Sequence, residues 1–323
     1  MPLKLTRRTM IAGLALFAAT GVGAQEFPSR PITIMVGLAP GGITDVTARL
    51  YAEVVARSLN QRIIIENRTG AGGGVAAAAV QNAAPDGHTL LVFSGSQHAT
   101  VPAVSNATYD PVKGFAPITF LFNSVVVLTV PADSPAKTVA ELHEWGKKKP
   151  GGLTFGTPGL GSPSHLLGAK ILMAANVPFQ VVHYRGGSAV MADLITGRVD
   201  FSWPTLSTAR ANIAEKKLRA LALDADKRWP PLPDVPTLTE VGFGNEQVAS
   251  WFALAAPAGT PPTIVKKLHD EFVKASHDPE LRRRLAENGT PIVTSTPEDM
   301  GKAMVQEWET MQQLVRTLNL RQE

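Results

Sequence analysis

The sequence predicts an α/β protein built as two lobes, each a mostly parallel sheet flanked by helices. Two observations carry this reading. An apolar strand pattern is followed, again and again, by a small or polar loop and then a helical pattern; such alternation favours parallel strands with crossover helices. One strand–helix junction also occurs twice: Val127 to Pro135 resembles Phe252 to Pro261 at an offset of 126 residues. Two such strands bracketing the middle of the chain suggest two crossings between lobes; the other reading is a common junction that happens to recur. At 323 residues the chain can supply each lobe with its own core.

The elements follow in order. The strand Ile32-Thr33-Ile34-Met35-Val36 leads through Pro40-Gly41-Gly42-Ile43-Thr44-Asp45 into a helix that reaches Leu59. Val46, Leu50 and Val54 recur there at the four-residue spacing of one helical face. Ile63 to Ile65, a loop over 67–74 and an alanine-rich helix over 75–84 form the second unit, and His88 to Phe93 runs into Ser94-Gly95-Ser96-Gln97-His98. Leu153 to Gly156 precedes the turn 157–163 and a helix through Leu172. Gln180 to Tyr184 precedes Arg185-Gly186-Gly187-Ser188 and a helix ended by Gly197, and Val199 to Ser202 leads to Trp203-Pro204-Thr205. Ser134 and Thr260 read as N-caps, with Pro135 and Pro261 at the first helical position. The proline-rich stretch 224–250 reads as an ordered surface connection, and Thr237 and Glu240, at the spacing of a capping box, predict a short helix inside it. The expected organisation is a leader at 1–24, a first lobe over 25–126, a second over 127–224, and a return to the first over 225–323 ending in a helix from Pro297 to Leu320.

The leader rests on Lys4, Arg7 and Arg8, the short apolar stretch Met10 to Ala19 and the small residues Val22-Gly23-Ala24. Thr6 to Ile11 fits a twin-arginine export signal, or equally an ordinary secretory leader with paired basic residues. The leader holds three of the 31 Lys and Arg residues and none of the 27 Asp and Glu, so removing it lowers the formal charge from +4 to +1. A nucleic-acid partner, which needs a concentrated basic face, loses its support. With no cysteine in the chain there is no thiolate metal site, disulfide, cysteine nucleophile or lipid-bearing cysteine. The expectation is a soluble exported protein, periplasmic and not a lipoprotein.

Several loops carry candidate chemistry. The first N–H groups of a helix lack intrahelical acceptors, and the helix dipole adds partial positive charge there. The turn at 40–45 can therefore seat a carboxylate or phosphate without a cation, or its glycines serve geometry alone. Thr157-Pro158-Gly159-Leu160-Gly161-Ser162-Pro163-Ser164-His165 offers a second such terminus, with Ser162 as N-cap; His165 contacts either a ligand or a neighbouring loop. Ser94, Ser96 and His98 follow a buried-looking strand, Tyr184 opens a glycine-rich loop beside Arg185, and Trp203 is either an aromatic wall or core packing. Enzyme signatures are poor: there is no phosphate-loop Gly-Lys-Ser/Thr, no nucleophile elbow, and no metal-ligand spacing among the seven histidines. No catalytic residue, metal or cofactor is expected.

Together these residues resemble the periplasmic solute receptors of tripartite tricarboxylate transporters, the Bug receptors. The resemblance spans the chain after the leader. It is carried by Phe27-Pro28-Ser29-Arg30-Pro31-Ile32, Pro40-Gly41-Gly42 with Thr44-Asp45, Glu66-Asn67-Arg68 before Gly70-Ala71-Gly72-Gly73, Ala84-Pro85-Asp86-Gly87, and Tyr109-Asp110-Pro111-Val112-Lys113. Later come Ser162-Pro163-Ser164-His165, Leu232-Pro233-Asp234-Val235-Pro236-Thr237 and Ala256-Pro257-Ala258-Gly259-Thr260-Pro261. It implies a two-lobed periplasmic-binding-protein clamshell of type II with two interlobe strands, and capture of a small mono-, di- or tricarboxylate for a membrane transporter; presentation of the closed form to a sensor kinase is the alternative. It implies contacts from Gly42, Ile43, Thr44 and Asp45 on one lobe, from Thr157, Gly159, Ser162 and His165 on the other, and from Ser94, Ser96 and His98 beside the first carboxylate. Many relatives have an aromatic residue and Asp-Asn where this chain has Trp203-Pro204-Thr205, so a plain carboxylate, its body against Trp203, is expected over an amino acid.

Overall fold

The computed structural model describes residues 27–318 except 160, 161, 185, 186, 226, 245–249 and 288. The expected leader and Arg185 lie outside the described residues. In the first part of the chain, β1 (Ile32–Val36), α1 (Ile43–Leu59), β2 (Ile63–Asn67), α2 (Gly74–Gln81) and β3 (Thr89–Ser94) alternate, followed by a π-helical turn (Ser96–Thr100), α3 (Val101–Val104) and β4 (Phe115–Asn123). The middle of the chain forms β5 (Val126–Pro131), α4 (Val139–Lys148), β6 (Leu153–Thr157), α5 (Pro163–Ala174), β7 (Phe179–His183), α6 (Gly187–Ile195), β8 (Phe201–Ser202), α7 (Leu206–Ala214) and β9 (Leu218–Asp224). The chain closes with β10 (Trp251–Pro257), α8 (Pro262–Ala275), α9 (Pro279–Glu287) and α10 (Pro297–Leu318).

Two five-stranded sheets result among the described residues, in the orders β2-β1-β3-β10-β4 and β7-β6-β8-β5-β9. Their plan is the same. A parallel trio, with its earliest strand in the middle, is followed by an antiparallel strand and an edge strand. The antiparallel strand arrives each time from the other lobe, β5 directly after β4 and β10 after the whole second lobe. These are the two strands of the repeated junction. Ser124 N–H donates to the Ser250 carbonyl at 2.8 Å, so the two crossings run side by side.

Each sheet has its own core. Ile34, Val36, Tyr51, Val55, Leu90, Phe122, Leu254 and Phe272 pack in the first lobe, where the Phe122 and Phe252 rings stack 4.4 Å apart. Leu128, Val130, Phe155, Leu167, Phe201 and Trp203 pack in the second. Each such side chain contributes about 1.5–3 kcal/mol when fully buried.

Three local expectations are corrected. The boundary at 225 moves along the chain, because Trp229, Leu232, Val235 and Leu238 pack on the second lobe and Leu223 exchanges backbone bonds with Pro236 and Leu238. The capping box itself is formed there, Thr237 N–H to Glu240 at 2.7 Å and Glu240 N–H to Thr237 Oγ1 at 3.3 Å, but it closes a turn and not a helix. Neither expected N-cap holds its place. The α4 cap is Thr138, whose hydroxyl accepts from Glu141 N–H while the Glu141 carboxylate accepts from Lys137 N–H, and the Ser134 hydroxyl accepts from Ala136 N–H. The α8 cap is Pro261, and the Thr260 hydroxyl donates to the Pro257 carbonyl.

The carboxyl ends of β1, β3, β6 and β7 deliver the loops singled out by sequence, where ligands sit in open parallel sheets. Leu166, in the first turns of α5, joins Ala99, Val104, Met311 and Val315 in one apolar cluster and is 1% exposed. The second lobe therefore touches the first through α5.

Candidate functional site

In the first lobe the site begins at the turn between β1 and α1. Gly41 stands at φ +80°, a conformation costly for other residues. Gly42 is the N-cap, in extended conformation and without a capping side chain. Its own N–H donates to the Ala39 carbonyl at 3.3 Å and its carbonyl accepts from Val46 at 2.9 Å. The amides of Ile43, Thr44 and Asp45 occupy the first helical positions, where no intrahelical acceptor exists. Thr44 is 1% exposed and its Oγ1 has no hydrogen-bond partner. A buried hydroxyl left unbonded costs about 1–3 kcal/mol, so this position calls for an acceptor or donor from outside the chain.

Asp45 has a different task. Its carboxylate accepts from Gly41 N–H at 2.9 Å and from Arg49 at 2.8 and 3.1 Å, and Arg49 also reaches Asn67, which holds the Leu38 carbonyl. Burial works against the charge of Asp45, but the Arg49 and Gly41 hydrogen bonds outweigh it and keep the carboxyl below its usual range. The side chain pins the turn, leaving only its backbone N–H for a ligand. Arg49 and Asn67 were not apparent from the sequence; their spacing to Asp45, four residues along α1 and a neighbouring strand end, was the available signal.

The loop after β3 folds on itself. Ser94 Oγ accepts from Gln97 N–H, and the buried Gln97 amide returns to Ser94 N–H and to the Gly73 carbonyl. Gly37 and Gly73 leave the space that Gln97 fills, since a Cβ on either would lie within 2.4 Å of its Nε2. Gln97 is thus a positioning residue that sequence reasoning passed over. Ser96 remains half-buried beside it. The expected ligand contact of His98 is corrected: it is 1% exposed, bonded through Nε2 to the Met304 carbonyl at 2.8 Å and packed against Phe93 and Trp251. Burial keeps its pKa low. Its work is to hold α10 against the loop.

In the second lobe Ser162 caps α5, its Oγ accepting from His165 N–H at 3.3 Å, with Pro163 first in the helix. Thr157 Oγ1 meets the Gly159 carbonyl at 3.2 Å and His183 Nδ1 at 2.8 Å. Gly159 has open space where a side chain would stand. The rings of His165 and His183 meet edge to face at 4.8 Å. Burial, with the nearby His183, drives the pKa of His165 down to about 4, so it is a neutral imidazole at ordinary pH. Tyr184 is turned away, its hydroxyl donating to Asp193 at 2.7 Å. The Trp203 wall is also corrected: the ring is 1% exposed in the second-lobe core, and only its carbonyl is used, by the Ser164 hydroxyl.

The site thus brings Ile43, Thr44, Asp45, Ser94 and Ser96 to one lobe face and Thr157, Gly159, Ser162 and His165 to the other. Among the described residues no cluster of three or more His, Cys, Asp or Glu side chains could hold a metal, and no helix is long and apolar enough to cross a membrane.

Comparison with known proteins identifies the family. The chain is 30% identical to the protein BugT of Bordetella pertussis over 296 residues, covering 90% of this chain and 91% of that one. It superposes on MatC from Rhodopseudomonas palustris with bound malate (TM-score 0.76, 33% identity, 90% and 100% of the two chains). It also superposes on R. palustris Rpa4515 with adipate (TM-score 0.79, 31% identity, 90% and 98%). Residues 47–320 match the model of the tripartite tricarboxylate transporter family receptor, TctC. The chain belongs to that family of periplasmic solute-binding receptors, which are not enzymes.

Proposed function

We propose that this receptor captures a small mono- or dicarboxylate between its lobes and delivers it to the membrane subunits of a tripartite tricarboxylate-type transporter. The observation that carries the reading is the start of α1, where uncapped amides stand beside the buried, unpartnered Thr44 hydroxyl. An anion there gains the helix-terminal N–H groups and the dipole, and needs no arginine. The start of α5, with Thr157 and Gly159, is the opposing wall. The malate and adipate held by MatC and Rpa4515 fit this ligand class.

Preference for a plain carboxylate over an amino acid follows from the carboxylates near the two turns. Asp45 is occupied by Arg49 and Gly41, and Asp193 by Tyr184 and Arg198. After β8 the chain has Trp203-Pro204-Thr205, with no acid. An ammonium brought into the cleft would find neither carboxylate free and would lose its hydration. Isothermal titration with malate, adipate, succinate, aspartate and glutamate tests this. Binding of one or more dicarboxylates, at least about tenfold tighter than aspartate, is expected; tighter binding of an amino acid overturns the preference.

A further inference from the structure

We propose that His183 is a protonatable contact in the second-lobe half of the cleft, favouring ligands with a second anionic group under mildly acidic conditions. This rests on the carboxylate-receptor reading above. The parallel register of β6 and β7 sets Thr157 opposite His183, so the histidine stands at the carboxyl end of its sheet, level with the turn that opens α5. Its Nδ1 is 2.8 Å from Thr157 Oγ1, and the same hydroxyl reaches the Gly159 carbonyl. Because Thr157 Oγ1 donates its single proton to one of these two acceptors, the imidazole is free to carry a proton on Nε2 or on both nitrogens.

The two histidines divide the labour. His165 is buried and held neutral, whereas His183 is exposed. Burial lowers the pKa of His183 from its ordinary value, and the ring remains protonatable because it is not sealed in the core. Among the described residues the titratable groups beside it are few. β6 carries no titratable side chain, α5 brings His165, and the adjoining Tyr184 bonds Asp193 of α6, whose carboxylate is also paired with Arg198. Asp193 is thereby satisfied by Tyr184 and Arg198, and among the described residues no carboxylate pairs with His183, so a protonated His183 can offer its charge to a ligand. Anion binding and protonation of His183 then reinforce each other by linkage.

Two measurements on the whole protein decide the point. His183 imidazole resonances are followed by NMR from about pH 5 to about pH 8 with and without saturating adipate, which should move the titration midpoint upward. By calorimetry, adipate should bind about threefold tighter at about pH 6 than at about pH 8 in the wild type. His183→Gln, which can still pair with Thr157, should lose most of that ratio and stay within about twofold of wild type at about pH 8. A midpoint unmoved by adipate, or an undiminished ratio in His183→Gln, overturns the proposal. Equal loss of binding at both pH values in His183→Gln also overturns it, leaving His183 only the task of holding the Thr157 turn. If neither adipate nor malate binds the wild type at either pH, the carboxylate reading fails first and this inference with it.

Discussion

The turns that open α1 and α5 occupy equivalent places in two sheets of the same plan, yet they are finished differently. The first is uncapped: Gly42 offers no side chain, and the free amides lie beside a hydroxyl with nothing to bond. The second is capped by Ser162, which consumes the His165 amide, and its polar groups are the Thr157 hydroxyl and two imidazoles. An uncapped terminus keeps its whole donor set for an anion, while a capped one exchanges part of it for rigidity and local stability. On this contrast the first lobe supplies most of the anion affinity, and the second supplies closure and selectivity.

The largest expected effect is on closure. Leu166 reaches Ala99, Val104, Met311 and Val315 of the first lobe, so Leu166→Ala should weaken this contact between the lobes by about 2–3 kcal/mol. Because a ligand held by both lobes selects the form in which they touch, affinity should fall by roughly 30-fold while the melting of ligand-free protein changes less. Equal affinity in titration would detach α5 from closure.

Next comes Glu307, buried on α10 where Trp251 Nε1–H donates to it and its Oε1 lies against Gly95, beneath the loop of Ser94 and Ser96. Burial raises its pKa to about 7, against the Trp251 bond. Its folded form holds a proton that the unfolded chain releases near pH 4.5, so this stability is complete below pH 4.5 and is lost as pH rises through 7. Between about pH 5 and about pH 8 denaturant unfolding should show a loss on the order of 2 kcal/mol that Glu307→Gln removes. A wild-type profile that is flat, or that slopes upward, contradicts this placement.

Thr44→Val keeps the shape of the first turn and removes the unbonded hydroxyl. Affinity for a dicarboxylate should drop about tenfold, with unfolding stability unchanged or slightly higher. Ser162→Ala should do the reverse, costing about 1 kcal/mol of stability through the lost cap and less than about threefold in affinity. If the two variants exchange these signatures, the contrast between the lobes is the wrong way round.

Much of this was legible in the sequence where short-range rules decide. The spacing of Val46, Leu50 and Val54 and the glycines at 41 and 42 marked α1 and its end at Leu59, while its start at Ile43 falls inside the expected turn. Caps were harder. Ser134 and Thr138 are both hydroxyl residues near a helix start, and the Glu141 N–H bond to the Thr138 hydroxyl, with the Glu141 carboxylate on Lys137 N–H, selects Thr138. The tandem Pro261-Pro262 permits either register. Residues whose fate depends on distant segments were misread. His98 is buried by Met304 and Trp251, more than 150 residues away, and Trp203 by a core assembled from the whole second lobe. His183 was missed for the same reason, since only the register of β6 and β7 sets it beside Thr157. The proline-rich connection looked like solvent-facing chain, but its apolar residues between the prolines cover the second lobe.

The most direct test of the clamp is the backbone amide spectrum of residues 43–45 during titration with malate and adipate. The account predicts that the Ile43, Thr44 and Asp45 amides move together and downfield as an anion seats on them, and that Thr44→Val reduces the population shifted at a given ligand concentration. If dicarboxylate binds, as shown by calorimetry, while these three resonances stay in place, the anion sits elsewhere and the uncapped start of α1 is only a turn.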